Sequence, residues 1–109
     1  MKQFEIWTCD FGTEMPYGDW GVRPCIIVSN NLCNEFADYV TVVPITTRAR
    51  SPQITHCILK SSKVTSIAMC ETIITIKKDR LGEKCADLTA FEKENIKHCL
   101  KEQLGIEGE

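Results

Sequence analysis

The sequence predicts a mainly β (α+β) fold, a small barrel or strongly coiled sheet with one C-terminal α-helix. Two observations support this fold class. Six short runs rich in β-branched and aromatic residues follow one another up to residue 77, and turn-forming residues separate them. A helical pattern with signals at both ends follows over residues 89–105. A length of 109 residues suits one domain, 1–109, with a single modest core.

Each predicted strand is a short apolar run bounded by turn residues. The run LCNEFAD, between the second and third strands, is ambiguous and fits a short helical turn. Pro44 has no N–H to donate to a ladder, so the third strand should be an edge strand or irregular near its end. In order, the six predicted strands read FEIWTCDF, PCIIVSN, YVTVVPIT, THCILK, TSIAMC and ETIITI.

The helix is defined by its two ends and one apolar stripe. Thr89 followed by Glu92 three residues later forms a capping box, and Gly105 is a natural C-terminal stop. The stripe lies at helical spacing and predicts a face packed on one side of the sheet. Its members are Ile96, Cys99, Leu100 and Leu104.

Composition places the chain among ordinary globular proteins, with 43% hydrophobic and 26% charged residues. Glu5 and Asp10 interrupt the N-terminal region where a signal peptide needs an apolar core. No apolar run approaches the ~18 residues of a membrane span. We therefore expect a soluble, cytoplasmic protein with no membrane partner.

Seven cysteines are scattered without a C-x-x-C motif, and their odd number argues against a complete disulfide framework. A zinc site built from some of them and the two histidines is an alternative. The preferred interpretation is that most are small buried hydrophobic side chains in a reducing compartment. No metal ion and no cofactor are expected.

Charge is segregated along the chain. Residues 1–47 hold two basic and six acidic side chains, residues 48–80 seven basic and two acidic, and residues 81–109 four basic and seven acidic. A basic middle segment is what a polyanion-binding face requires. The alternative is a merely solvated mixture of charges.

Three residues stand out for chemistry. Arg23 precedes the buried run PCIIV, where a guanidinium with five donors suits a phosphate; a salt bridge to Asp19 or Glu71 is the alternative. Thr46 ends a buried strand and either positions a substrate oxygen or caps a turn. Glu71, on a predicted strand between apolar residues, is either paired with a cation or suited to accept a proton as a general base.

The two histidines do not form a convincing catalytic pair. His98 lies beside the apolar stripe of the helix, and His56 precedes a strand run. Structural roles are therefore preferred for both.

These elements, in this order, resemble the MazF/PemK (Kid-like) toxins of bacterial type II toxin–antitoxin systems. The resemblance runs through WTCDFG, GVRPCIIVSN, VTVVPITT, THCIL, CETIITIKKDRLG and LTAFEKENIKHCLKEQLG, nearly the whole chain. It implies an SH3-like barrel with a C-terminal helix. It also implies a metal-independent, sequence-selective endoribonuclease (an mRNA interferase) that cleaves single-stranded RNA.

The resemblance implies roles for individual residues. In that family the arginine of the Arg-Pro pair and the threonine ending the third strand are catalytic, and they match Arg23 and Thr46. An acidic residue implicated in the PemK branch matches Glu71. A homodimer with RNA in a groove across the interface and a cognate antitoxin protein are the implied partners. The residues expected to contact RNA are Trp20, Thr47, Arg48, Lys77, Lys78 and Arg80.

The chain departs from the family pattern in places. Its first loop reads PYGDWG where the family usually has Gly-Ser-Glu-Gln-Gly-Gly, and Thr72 and Ile74 replace a glutamine and an arginine. A toxin-like binding module without activity is therefore one alternative. Another is a gyrase poison like the CcdB toxins, but those depend on a tryptophan near the C-terminus. Here the tryptophans are Trp7 and Trp20, which argues against that alternative.

Overall fold

The computed structural model describes residues 1–12, 21–47, 56–59 and 66–106. These residues form seven strands and two α-helices, and a single 3₁₀ turn, Lys78–Arg80, joins the last two strands. The helices are α1 (Asn31–Phe36) and α2 (Ala90–Leu104). The strands are β1 (Glu5–Asp10), β2 (Val22–Ile27), β3 (Tyr39–Thr46), β4 (His56–Leu59), β5 (Ser66–Met69), β6 (Ile74–Lys77) and β7 (Leu81–Asp87).

All pairings are antiparallel, in the order β4-β5-β3-β2-β1-β7, and β6 also pairs with β3. β3 is central, with β2 along one edge and with β6 and β5 following each other along the other edge. Within the described residues β4 and β7 are the outer strands and do not pair with each other, so the sheet is open. The predicted mainly β fold with a C-terminal helix is confirmed.

Pro44 lies at the point where β3 changes partner. β6 pairs with β3 from Tyr39 to Val42, and β5 pairs with it at Ile45 and Thr46. Pro44 falls in the gap between these two stretches, where its missing N–H interrupts no ladder of that edge. β3 is not an edge strand, and it runs unbroken through Pro44.

Strand β7, with the sequence LGEKCAD, is the element that the sequence did not predict. It forms because β1 supplies partners for it. The Lys84 ammonium lies 3.0 Å from a carboxylate oxygen of Glu5, and the Glu83 N–H donates to the hydroxyl of Thr8 at 2.9 Å. Gly82 allows this close approach, since a side chain there would collide with that hydroxyl.

Two clusters of buried side chains lie on the opposite faces of the sheet. Cluster 1 contains residues from β1–β5 together with Ile96 and Cys99 of α2, so it fills the space between the sheet and that helix. Cluster 2 contains residues from β1, β2, β3, β5 and β6 on the other face. β2 and β3 alternate between the two, as the twofold period of a strand requires. Their central residues are therefore buried on both faces.

Helix α2 begins and ends as predicted. The Thr89 hydroxyl accepts from the Glu92 N–H at 3.1 Å, and the Glu92 carboxylate accepts from the Thr89 N–H at 2.9 Å. Gly105 ends the helix with φ of 66°, a left-handed conformation that favours glycine. The stripe is buried at Ile96 but ends early. Leu104 is 58% exposed, because the last turn of α2 extends beyond cluster 1.

Candidate functional site

The pairing of β2 with β3 brings Arg23 and Thr46 together. Cys25 of β2 pairs with Pro44 of β3 in antiparallel register. The paired stretch of the two strands ends at these residues. Extending the same register by two residues sets Arg23 opposite Thr46 on one face of the sheet, where directly opposed residues have Cβ atoms about 5 Å apart. By this extension, the two side chains expected to be catalytic are close neighbours.

This pair belongs to a row of residues that crosses the sheet on the face of cluster 2. Cys9 of β1 pairs with Arg23 on one side and with Leu81 of β7 on the other. Thr46 pairs with Ile67 of β5. Cys9 is buried in cluster 2, and Leu81 and Ile67 pack against it. Arg23 and Thr46 therefore lie at the boundary between this apolar cluster and the end of the sheet.

The local sequence of β2 keeps the Arg23 guanidinium out of the core. Val22 and Pro24 are exposed and Arg23 is half-buried, whereas β2 is fully buried from Cys25 onward. An unpaired buried guanidinium would be costly, and this position avoids that cost. Thr46, by contrast, is 5% exposed, so its hydroxyl is held in a fixed environment.

Two buried thiols and one further arginine lie close to Arg23. A hydrogen bond between the Cys9 and Cys25 side chains lowers the pKa of Cys9 and raises that of Cys25. The positive charge of Arg80 also lowers the pKa of Cys9. The Arg80 guanidinium donates to the main-chain oxygen of Asp10 at 3.2 Å. Arg80 of the 3₁₀ turn therefore lies beside the end of β1.

The other residues expected to contact RNA are placed differently. Thr47 is exposed and follows Thr46 directly. Lys77 pairs with Tyr39, at the opposite end of β3 from Thr46. It lines an open cleft of about 400 Å³ together with Lys78, Tyr39, Asp38 and Asp79. Trp20 and Arg48 lie outside the described residues.

Glu71 does not lie on a strand. It falls in the turn between β5 and β6, because the run ETIITI becomes a strand only at Ile74. Its carboxylate lies 2.8 Å from Nε2 of His56. This partner is a histidine, whereas the sequence had offered Arg23 as a possible partner of Glu71.

The sequence assigned His56 a structural role and did not reveal its contact with Glu71. His56 is the first residue of β4 and pairs across the strand with Met69 of β5, two residues before Glu71. The available signal was a histidine at the start of a strand, which by itself does not identify a partner. The second histidine, His98, lies on the exposed side of α2, with Nε2 3.9 Å from Glu102. The two histidines are therefore not a pair.

The cysteines are confirmed as mostly buried and free. Five of the seven are buried, whereas Cys33 and Cys85 are exposed. Burial is the main cause of the raised pKa of Cys57, about 12, and it raises the pKa of Cys70 and Cys99 as well. Among the described residues no group of three or more His, Cys, Asp or Glu side chains is arranged to hold a metal ion.

Comparison with known families decides the classification. The profile of the PemK-like, MazF-like toxins of type II toxin–antitoxin systems matches residues 2–104. The chain belongs to this family. Over the described ranges, neither helix combines the length and hydropathy that a membrane span requires.

Individual relatives cover nearly the whole chain. Endoribonuclease MazF from Staphylococcus saprophyticus is 27% identical over 111 residues, which is 97% of this chain and 92% of that protein. Endoribonuclease MazF4 from Mycobacterium tuberculosis is 28% identical over 102 residues, 94% of this chain and 90% of that protein. A mycobacterial endoribonuclease solved in complex with its cognate antitoxin superposes with a TM-score of 0.83 and 27% identity, covering 100% of this chain and 99% of the other.

Proposed function

We propose that this toxin is a metal-independent, sequence-selective endoribonuclease that cleaves single-stranded RNA. The observation that carries the proposal is the juxtaposition of Arg23 and Thr46 on adjacent strands at the end of cluster 2. Relatives that align over more than nine-tenths of the chain are named endoribonucleases, which supports the same activity.

The reaction is an internal transfer of the phosphodiester. The 2′-oxygen attacks the adjacent phosphorus, the O2′–P bond forms and the P–O5′ bond breaks, leaving a 2′,3′-cyclic phosphate and a 5′-hydroxyl. The nucleophile is tethered beside the phosphate, so its high effective concentration replaces activation by a metal ion. The protein must remove one proton, stabilise charge on the phosphate and supply one proton to the leaving oxygen.

The three candidate residues suit these tasks. Arg23 stabilises the charge on the phosphate oxygens and donates the proton to the leaving 5′-oxygen. The Thr46 hydroxyl holds a phosphate oxygen, and Glu71 accepts the 2′-hydroxyl proton. Exposed Thr47 and the guanidinium of Arg80 flank this position and bind the RNA backbone. Trp20, Arg48, Lys77 and Lys78 complete the proposed RNA contacts.

The partners follow from the same proposal. We expect residues 1–109 to act as one cytoplasmic toxin domain, to form a homodimer and to bind a cognate antitoxin across the RNA groove. The solved mycobacterial relative in complex with its antitoxin supports the last point. Sedimentation that shows only a monomer at micromolar concentration would exclude the dimer. RNA binding that persists unchanged in the antitoxin complex would exclude a shared groove.

The deciding experiment is cleavage of a mixed single-stranded RNA pool by purified protein in EDTA. We expect cuts at a restricted set of sequences, with 2′,3′-cyclic phosphate and 5′-hydroxyl ends. DNA of the same sequence should resist, because it lacks the internal nucleophile. RNA binding without any cleavage would instead indicate a toxin-like binding module, and cleavage that requires added magnesium would contradict the mechanism.

A further inference from the structure

The contact between His56 and Glu71 gives the two side chains unequal roles. Nε2 of His56 and Oε2 of Glu71 are 2.8 Å apart. The His56 side chain is 7% exposed, whereas that of Glu71 is 28% exposed. The Glu71 side chain is therefore partly accessible, whereas the imidazole is almost fully buried. His56 is placed to hold Glu71 in position.

The second carboxylate oxygen of Glu71 is also unusual. Within the described part of the chain, Oε1 is buried and has no hydrogen-bond partner. Native proteins rarely leave a buried polar atom unpaired, because its desolvation is then not compensated, and a catalytic role is one explanation for such an atom. Within the described residues the lone pairs of Oε1 are unused and can accept a proton.

The pair lies on the same face of the sheet as Thr46. His56 pairs with Met69 and Thr46 pairs with Ile67, and these two β5 residues are two positions apart, on one face. The offset from Thr46 to His56 is two strand spacings across the sheet and two residues along it. With strands about 4.8 Å apart and a rise of about 3.3 Å per residue, the two Cα atoms are about 12 Å apart. The His56–Glu71 contact and Thr46 therefore lie on the same face of the sheet.

We propose that His56 is a positioning residue that orients Glu71 as the general base for RNA cleavage. This inference rests on the endoribonuclease function proposed above. The O2′–P bond forms as the 2′-hydroxyl proton passes to Glu71, the P–O5′ bond breaks, and the leaving oxygen takes its proton from Arg23. Solvent then removes the proton from Glu71 and returns one to Arg23. His56 exchanges no atom with the substrate.

The pairing also makes the base sensitive to pH. A neutral His56 donates its Nε2 proton to the carboxylate and fixes its orientation. A protonated His56 adds a positive charge within hydrogen-bond distance, which favours the ionised carboxylate and makes it a weaker proton acceptor. Cleavage should therefore be slower when His56 is protonated than when it is neutral.

Other titratable groups near this pair do not supply the same dependence. In the described residues Arg23 of β2 shares the face, and the resting charge of a guanidinium does not change over the pH range of the assay. The thiols of Cys57, Cys70 and Cys99 lie in cluster 1 on the other face, and burial raises the pKa of each. Glu92 of α2 acts on Cys57 from that face and is engaged in the capping box.

The test is a pH profile of single-turnover RNA cleavage from about pH 5 to 8. His56→Gln keeps a donor for Glu71 but cannot titrate, so we expect a profile without the rise seen in the wild type. At the highest pH of the profile, the His56→Gln variant should cleave about tenfold more slowly than the wild type, the worth of one hydrogen bond to a charged group. His98→Gln is the matched control, since His98 is the other histidine of the chain and is exposed on α2; its profile should be that of the wild type.

A double substitution separates positioning from simple loss of fold. Glu71→Gln should lower the rate about a hundredfold, as expected for loss of a general base. Adding His56→Gln to Glu71→Gln should cause no further loss, because His56 acts only through that carboxylate. Thermal unfolding of each variant checks that the fold is retained.

Two results would overturn the inference. One is a His56→Gln profile that keeps the wild-type slope, and the other is a double variant whose losses multiply. Neither result would contradict the endoribonuclease function. A wild-type protein that cleaves no RNA overturns that function and the inference together, so the two failures are distinguishable.

Discussion

Replacing Arg23 by alanine should remove most of the RNA cleavage and leave the fold in place. Arg23 lies two residues before the first fully buried position of β2, Cys25, and extension of the β2–β3 register sets it opposite Thr46. Because its side chain is only half-buried, its loss should change the free energy of unfolding by no more than ~1 kcal/mol, the worth of one ordinary hydrogen bond. A donor that stabilises charge in the transition state is worth ~3 kcal/mol, or about a hundredfold in rate.

Two matched variants make this prediction specific. Val22 is the preceding residue, is 68% exposed and projects to the opposite face of the sheet, so Val22→Ala should cleave RNA like the wild type. Arg23→Lys keeps the positive charge but loses the planar fork of donors, so its rate should fall between those of the wild type and Arg23→Ala.

The assay measures kcat and KM on a defined single-stranded RNA in EDTA, with urea unfolding of each variant alongside. Arg23→Ala should lower kcat more than it raises KM, because the interaction strengthens as charge develops on the phosphate. Cleavage by Arg23→Ala at the wild-type rate would refute the catalytic role. An equal loss in Val22→Ala would show that the whole edge of β2 had been disturbed.

Two further predictions concern stability. Burial opposes ionisation of Glu5, but hydrogen bonds that include those from Trp7 and Lys84 outweigh it and lower its pKa from 4.5 to about 2. Its stabilising contribution is therefore present above about pH 4.5 and lost as the pH falls toward 2, and Glu5→Gln should remove this pH dependence from urea unfolding. Ile96→Ala should cost about 2–5 kcal/mol of unfolding free energy because Ile96 is fully buried. Exposed Leu104→Ala should cost ~0.5 kcal/mol or less; equal losses at the two positions would contradict this account of α2 packing.

The helix could be predicted from sequence because its signals are local. The capping box at Thr89 and Glu92 and the glycine at 105 act within one turn of the chain, and the structure confirms both ends. Leu104 was predicted to be buried because it continues the apolar stripe. How far α2 remains in contact with the sheet depends on the size of cluster 1, which the spacing of apolar residues along a helix does not reveal.

The site was predictable in part for the same reason. Arg23 and Thr46 each stand at the end of an apolar run, which the sequence shows directly. Their adjacency depends on the β2–β3 register, which involves residues more than twenty positions apart. The pairing of His56 with Glu71 depends on the alignment of β4 with β5. It also depends on the turn between β5 and β6, which contains Glu71 where the sequence had predicted the start of a strand.

By itself, the sequence determined the strands with strong β-branched runs, the limits of the C-terminal helix and the family resemblance, and it supplied the candidate residues for contacting a phosphate. Tertiary structure alone decided three features. β7 became a strand through cross-strand partners in β1, despite a run of glycine and charged residues. Pro44 entered a central strand because the neighbour of β3 changes there. Glu71 acquired a histidine partner. All three depend on contacts between distant parts of the chain, because a strand completes its hydrogen bonds only with another strand, whereas a helix completes them within itself.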